Sequence, residues 1–190
     1  MQTILLIGTG PMAIEYSKVL QAMAKKFIVV GRGSESAKLF KQKTGITPVI
    51  GGLDLYLKDK KLNKNTIAII ATGTETLMSL MQQLLKSGVE KILVEKPAAI
   101  SIDELLENEQ YIKPYENSIF VAYNRRFYAS VIEAKKLIKE DGGLLSMHFE
   151  FTEWAHKLEN LVKADGVKKN WFFANSSHVV DLAFFIAGKP

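Results

Sequence analysis

The chain has 190 residues, and a content of 47% hydrophobic and 24% charged residues is typical of a folded globular protein. The absence of cysteine excludes disulfide bonds, thiolate zinc sites and a cysteine nucleophile. The net charge of +5 comes from scattered lysines, and no apolar run approaches the about 20 residues of a membrane span. We therefore expect no nucleic-acid partner, no membrane partner, no signal peptide and a cytoplasmic location.

Short apolar runs alternate with helical patterns over residues 1–124. The predicted strands are 3–7, 27–30, 47–50, 66–71, 91–94 and 118–123. The predicted helices are 11–24, 35–43, 53–60, 75–87 and 102–110, with Ser34 capping the second and Ser101 or Asp103 serving the last. Near-continuous apolar strands separated by amphipathic helices predict a parallel sheet covered on both faces. We therefore predict a doubly wound α/β domain over residues 1–124.

The pattern changes over residues 125–190. We predict helices at 128–140 and 177–187 and a loop with a helical turn at 156–169. Apolar and polar side chains alternate over 144–154, which predicts one antiparallel strand. Because one strand cannot bury a sheet alone, we expect this second domain to be incomplete and the chain to be a fragment.

The first predicted strand runs directly into a Gly-x-Gly-x-x-Ala turn at residues 8–13, which opens a helix. Gly8 permits the tight turn, Gly10 lets the backbone approach a pyrophosphate, and Ala13 is small enough for helix–strand packing. The alternative is an ordinary βα turn of another α/β protein. The position of the turn, at the head of a repeated βα pattern, favours a dinucleotide site.

The end of the second strand bears on which dinucleotide binds. An NAD site usually has Asp or Glu there, whereas this chain has Arg32 and Ser34 in a glycine-rich loop. Arg can bind a 2′-phosphate through charge-assisted hydrogen bonds and stack on adenine. The alternative is a surface arginine. We predict NADP as the preferred cofactor, with NAD also possible.

The segment Val94-Glu95-Lys96-Pro97 lies at the carboxyl end of a predicted strand, the edge where ligands bind in open α/β sheets. A lysine there can hold a substrate hydroxyl or carbonyl and exchange its proton. The alternative is a surface lysine before a loop proline, which the tripeptide alone favours.

Four short motifs follow one another along the chain: the turn 8–13, Ala-Thr-Gly at 71–73, Glu-Lys-Pro at 95–97 and Tyr-Asn-Arg-Arg-Phe at 123–127. This ordered set resembles the glucose–fructose oxidoreductase, inositol dehydrogenase and MocA family over nearly the whole chain. The resemblance implies a Rossmann domain joined to a C-terminal α/β domain whose open sheet supports homo-oligomers. It also implies hydride transfer between a nicotinamide cofactor and a sugar-like alcohol or carbonyl.

The same resemblance assigns Lys96 as the catalytic lysine and His178, in a His-x-x-Asp pattern, as its assistant in proton transfer. The matching cofactor-binding positions are Gly8, Gly10, Pro11, Met12, Arg32, Ser34, Thr72, Gly73, Glu95 and Lys96. We take Arg126, Trp171 and Asp181 as candidate substrate contacts; Asp181 either orients His178 or holds helix and loop together. Many members carry an Asp four residues before the His, where this chain has Ala174, and residues 175–177 could instead cap the helix.

The remaining histidines, His148 and His156, are too isolated to form a metal site with His178, and we assign no metal. Our leading hypothesis is an NADP-dependent oxidoreductase of a sugar or polyol. A second hypothesis is a cofactor-binding sensor or regulator without turnover. A third, a short-chain dehydrogenase, is weakened because no Tyr-x-x-x-Lys pair occurs on a predicted helix.

Overall fold

The computed structural model describes residues 3–188. The chain divides into two compact units, Met1–Ala122 and Tyr123–Pro190. Over the described residues, no helix combines the length and the apolar character needed to cross a membrane.

The first unit contains a six-stranded sheet in which every pairing is parallel. Its strands are β1 (Thr3–Ile7), β2 (Phe27–Gly31), β3 (Val49–Ile50), β4 (Thr66–Ile70), β5 (Lys91–Val94) and β6 (Ile119–Val121). The order β3-β2-β1-β4-β5-β6 reverses direction at β1, as in a doubly wound sheet. The predicted Rossmann fold is confirmed.

Six helices connect the strands: α1 (Pro11–Ala22), α2 (Ser34–Thr44), α3 (Gly52–Asp59), α4 (Leu77–Lys86), α5 (Ile102–Glu107) and α6 (Glu109–Ile112). Ser101 caps α5 as expected, because its Oγ accepts the Glu104 N–H at 3.1 Å. The prediction that Ser34 caps α2 is wrong. Ser34 is already helical, and Gly33 occupies the cap position without a side-chain bond.

The core of this unit consists of apolar side chains from the central strands and the helices packed on them. Leu6 on β1, Val29 on β2 and Ile69 on β4 cluster with Leu20 of α1 and Phe40 of α2. Phe40 is fully buried although α2 is largely polar. Burial at this level anchors each helix to the sheet and so fixes where the loops at the carboxyl edge begin.

The regular elements of the second unit are all helical over its described residues. It contains α7 (Ala129–Glu140), the short α8 (Ala155–Leu158), a π-helical turn at Phe172–Ser176 and α9 (Ser177–Ala187). The strand predicted over 144–154 is wrong, because this segment is irregular and its residues 144–150 are exposed. Between residues 123 and 188 there is no other strand, so an extended segment there would leave its ladder hydrogen bonds unpaired.

Candidate cofactor site

A cavity of about 690 Å³ opens at the carboxyl edge of the sheet, within the first unit. Its walls come from the loops that follow β1, β2, β3 and β4. This is the edge and the strand reversal where open α/β sheets bind ligands. The volume lies within the range of small-molecule and cofactor sites.

Gly8 and Gly10 form one end of the cavity and fit a phosphate group for different reasons. Gly8 has a φ of +121°, and a Cβ there would come within 2.2 Å of the Ala71 carbonyl oxygen, so only glycine fits. A Cβ on Gly10 would meet nothing within 4 Å, which leaves open space beside its backbone.

The amino end of α1 lies in the same wall, since Gly10 is its cap and Pro11 its first residue. The first helical hydrogen bond runs from the Ile14 N–H to the Gly10 carbonyl at 3.1 Å, which leaves the N–H groups of Met12 and Ala13 without a helical partner. Such groups and the helix dipole favour an anion. The residues present therefore fit a dinucleotide pyrophosphate.

Thr9 links this turn to the loop after β2. Its hydroxyl lies 2.9 Å from the Ser36 hydroxyl, which in turn donates to the Gly33 carbonyl at 3.1 Å. Thr9 and Ser36 both line the cavity, and the sequence patterns did not single out either of them. Ser34, the predicted ribose contact, is exposed and is not part of this lining.

Arg32 follows β2 directly, lines the cavity and is exposed. Gly52, with a φ of +78°, comes close to it: a Cβ on Gly52 would lie 3.9 Å from the Arg32 Cγ. Asp54 lines the same cavity. The cavity wall therefore carries one cation from the loop after β2 and one carboxylate from the first turn of α3.

The loop after β4 supplies Thr72 and Gly73, both of which line the cavity. The Thr76 hydroxyl lies 2.8 Å from the Thr72 hydroxyl and 2.9 Å from the Gly73 carbonyl, and so holds the loop closed. The Glu75 carboxylate lies against Gly73, where a Cβ would come within 2.3 Å of its Oε1. Glu75 and Thr76 also line the cavity and were not predicted.

Glu95 and Lys96 follow β5 and are not among the described residues that line this cavity. The Glu95 side chain instead accepts a hydrogen bond of 2.8 Å from the Tyr16 hydroxyl of α1. Burial raises the pKa of the Glu95 carboxyl, while hydrogen bonds from Tyr16 and from the Lys96 N–H, and the Lys96 charge, lower it. Burial and the neighbouring carboxylate raise the pKa of Tyr16. Lys96 itself is half-buried.

In the second unit, His178 lies in the first turn of α9 with its ring edge-to-face to Tyr123 at 5.8 Å. Asp181, one turn later, pairs with Arg126. The Arg126 Nε donates to the Asp181 Oδ2 at 2.8 Å, and a terminal N–H donates to Oδ1. Two predicted substrate residues therefore contact each other, and Asp181 joins the 123–127 segment to α9.

Glu153 is the centre of a second polar cluster, which the sequence patterns did not reveal. Its carboxylate accepts hydrogen bonds from the Trp171 Nε1 at 3.1 Å, the Asn175 Nδ2 at 3.0 Å and the Ser176 hydroxyl at 2.7 Å. These bonds lower the pKa of Glu153, with the Ser176 bond as the largest cause.

The alternative that residues 175–177 cap α9 is wrong, since Ser176 occupies the cap position without a side-chain cap bond.

The described residues hold no group of three or more side chains able to bind a metal ion. His148 is exposed, and His156 stacks on Trp154 with ring centroids 6.0 Å apart. Neither histidine is therefore placed in a ligand cluster.

Solved structures with the same fold cover essentially this whole chain. They include a levoglucosan dehydrogenase in complex with NADH (TM-score 0.75, 20% identity, 99% of this chain and 54% of that one). A myo-inositol dehydrogenase from Corynebacterium glutamicum aligns with a TM-score of 0.72 and 17% identity over 98% of this chain and 55% of that one. The WlbA dehydrogenase from Chromobacterium violaceum, in complex with NADH and UDP-GlcNAcA, aligns with a TM-score of 0.71 and 18% identity over 98% and 55% of the two chains.

This chain thus spans just over half the length of these solved structures. No curated protein gives a significant sequence match. The sequence model of the GFO_IDH_MocA family, described as an oxidoreductase family with an NAD-binding Rossmann fold, matches residues 2–123. The ordered motifs, the sheet and the cavity agree with that match, and the chain belongs to the glucose–fructose oxidoreductase, inositol dehydrogenase and MocA family of oxidoreductases.

Proposed function

We propose that this chain is the cofactor-binding part of an oxidoreductase that transfers hydride between a nicotinamide cofactor and a sugar-like alcohol or carbonyl. The observation that carries the proposal is the backbone cradle at Gly8 and Gly10. Gly8 cannot accept a Cβ, whereas Gly10 faces open space at the amino end of α1. That combination suits a pyrophosphate, because Gly8 makes the tight turn and the open space beside Gly10 admits a phosphate group.

NADP is the proposed preferred cofactor, with NAD as a possible second one. Arg32 supports this choice, because an exposed guanidinium in the cavity wall can bind a 2′-phosphate and stack on adenine. Asp54 opposes it, since its carboxylate would repel the same phosphate. Two of the related structures named above, the levoglucosan dehydrogenase and the WlbA dehydrogenase, were determined with NADH, so a direct comparison of the two cofactors is the decisive test.

Lys96 is the proposed proton-transfer group. Its backbone follows β5, at the sheet edge that carries the cofactor cavity. As a neutral amine it would take the proton of a substrate hydroxyl while the hydride leaves the same carbon. The bound nicotinamide would accept that hydride, or supply it in the reverse direction. His178 is the proposed assistant in this proton transfer.

The second candidate, a nucleotide-binding sensor without turnover, is favoured by one observation. Ala174 occupies the position where many family members carry a carboxylate, and it is buried. The full Lys/Asp/His set of the family is therefore not present in this chain, so cofactor binding without catalysis remains a distinct hypothesis.

A cofactor titration followed by an activity assay separates these functions. In a titration monitored by fluorescence, we expect NADPH to bind more tightly than NADH. In the activity assay, we expect a sugar or polyol to be oxidised or reduced. Turnover should be lost in Lys96→Ala, while that variant still binds NADPH. NADPH binding without turnover on a broad sugar panel would instead support the sensor. Binding of neither cofactor would overturn both proposals.

A further inference from the structure

A partly buried hydrogen bond joins the helix of the phosphate turn to the segment that carries Lys96. Tyr16 lies in α1, and its hydroxyl donates to the Glu95 Oε1 at 2.8 Å, across 79 positions of sequence. Only 9% of Glu95 is exposed. A carboxylate covered to this extent is stable in its charged form only when donors or cations compensate for the lost water.

The backbone on either side of Lys96 is also fixed. The Glu95 N–H donates to the Ile70 carbonyl at 2.9 Å, and the Ala98 N–H donates to the Glu95 carbonyl at 3.0 Å. The Glu95 carboxylate additionally accepts the N–H of Lys96. The Lys96 side chain therefore extends from a backbone that Glu95 fixes through hydrogen bonds of both its main chain and its carboxylate.

We propose that Tyr16 is a positioning residue for Lys96: its hydroxyl holds the Glu95 carboxylate in place against the Lys96 N–H. The Lys96 side chain then extends from a fixed backbone, and its amine lies beside the negative charge of the Glu95 carboxylate. The role of Tyr16 in the reaction rests on the proposed function of Lys96. The hydrogen-bonded arrangement can be tested separately.

The groups that face Glu95 are few. Tyr16 approaches from α1, and Lys96 contributes both its N–H and its charge from the same turn. Burial raises the pKa of Glu95, and the Tyr16 hydrogen bond is the largest opposing cause. Removing this hydroxyl should therefore protonate Glu95 at a higher pH and weaken the negative charge beside Lys96.

The first experiment measures the titration of Glu95 in the whole chain, by ¹³C NMR of labelled glutamate carboxyls. Glu95→Gln identifies the resonance, and Tyr16→Phe removes the donor while keeping the ring. We expect the midpoint to rise by about 1 pH unit in Tyr16→Phe. Tyr56→Phe is the matched control, because Tyr56 is a buried tyrosine of α3 in the same unit. An unchanged midpoint in Tyr16→Phe, or an equal shift in the control, would overturn the proposal.

The second experiment measures the reactivity of the Lys96 amine and needs neither cofactor nor substrate. The chain is labelled with acetic anhydride at a series of pH values, and the peptide containing Lys96 is quantified by mass spectrometry. Loss of the negative neighbour should expose more neutral amine, so labelling at a given pH should rise roughly threefold in Glu95→Gln and in the same direction in Tyr16→Phe. Lys96 labelling that is identical in wild type and both variants would overturn the positioning role.

Turnover then separates this inference from the proposed function. With an accepted substrate, Tyr16→Phe should lower kcat about tenfold because the Lys96 amine is less well positioned, and should leave the Kd for NADPH unchanged. The acidic limb of kcat/KM should move to lower pH, because Lys96 loses its proton more readily without the negative neighbour. A purely structural role would lower Tm without moving that limb. If the wild-type chain binds cofactor but turns over no substrate, the reaction proposal fails, while the titration and labelling results still decide whether Tyr16 controls Glu95 and Lys96.

Discussion

Arg126 and Asp181 form a bidentate ion pair that joins the segment after residue 122 to the helix α9. The side chain of Asp181 is only 12% exposed and that of Arg126 is 40% exposed. The guanidinium also lies 5.6 Å from the Tyr123 ring and 5.1 Å from the Phe185 ring. Of the two alternatives for Asp181, these contacts support holding helix and loop together.

Breaking this pair should therefore destabilise the second unit. We expect Asp181→Asn to lower its free energy of unfolding by about 2 kcal/mol, between the values for exposed and buried ion pairs. Both tryptophans of the chain, Trp154 and Trp171, lie in this unit, so tryptophan fluorescence in urea reports on it. Lys136→Ala, which removes exposed pairs on α7, should cost about 0.5 kcal/mol or less. Equal losses in both variants would contradict the assignment.

Substitution of Gly8 should mainly reduce stability, whereas substitution of Gly10 should mainly reduce cofactor binding. Gly8→Ala places a Cβ against the Ala71 carbonyl at a positive φ, so we expect a loss of about 3 kcal/mol or more in stability. Gly10→Ala meets open space and should change the unfolding free energy by less than about 1 kcal/mol. It should still weaken NADPH binding by roughly tenfold or more, because its methyl group projects beside the proposed phosphate position. Thermal unfolding and fluorescence titration measure the two effects, and the prediction fails if Gly10→Ala binds NADPH normally.

Arg32 should discriminate between the two cofactors. Losing a hydrogen bond to a charged group costs about 1.5–3 kcal/mol, so Arg32→Ala should weaken NADPH binding by roughly 10–100-fold. Binding of NADH should change little. Lys38→Ala is the control, since it also removes a positive charge but lies on α2 paired with Glu35, outside the cavity lining. An equal loss for both cofactors in Arg32→Ala would contradict the 2′-phosphate assignment.

The buried Glu95 should make stability depend on pH. Its pKa is raised in the folded chain, mainly by burial, so the folded state binds more protons than the unfolded state. Stability should therefore decrease as pH rises from the ordinary Glu value of about 4.3 through the higher folded value. Glu95→Gln should lack this part of the curve. Urea unfolding at a series of pH values tests it, and parallel curves for wild type and variant would rule it out.

Local patterns predicted most of the first unit because each of its elements is specified by nearby residues. The apolar run before Gly8 and the spacing of the turn indicate a strand, a tight turn and a helix over a dozen positions. Errors arose where a one-residue shift matters. Because α2 begins at Ser34 and not after it, Gly33 and not Ser34 occupies the cap position.

Contacts between distant residues were not predictable in this way. Nothing in the spacing of Tyr16 and Glu95 indicates that they meet. The alternation over 144–154 has the period of a strand, but a strand also needs a neighbour to pair with, and the segment itself does not contain that information. The same holds for Glu153, whose partners follow it by 18 to 23 positions.

The Glu153 cluster also has a consequence for how mutations should be tolerated. A stretch without ladder or helix bonds is tied to the π-helical turn through one carboxylate that accepts three side-chain donors. Truncating Glu153 would strip Trp171, Asn175 and Ser176 of their acceptor at once, whereas truncating any donor leaves two tethers intact. All three of these hydrogen bonds therefore depend on one carboxylate, and resistance to proteolysis around residue 153 should depend on the Glu153 side chain more than on any of its three partners.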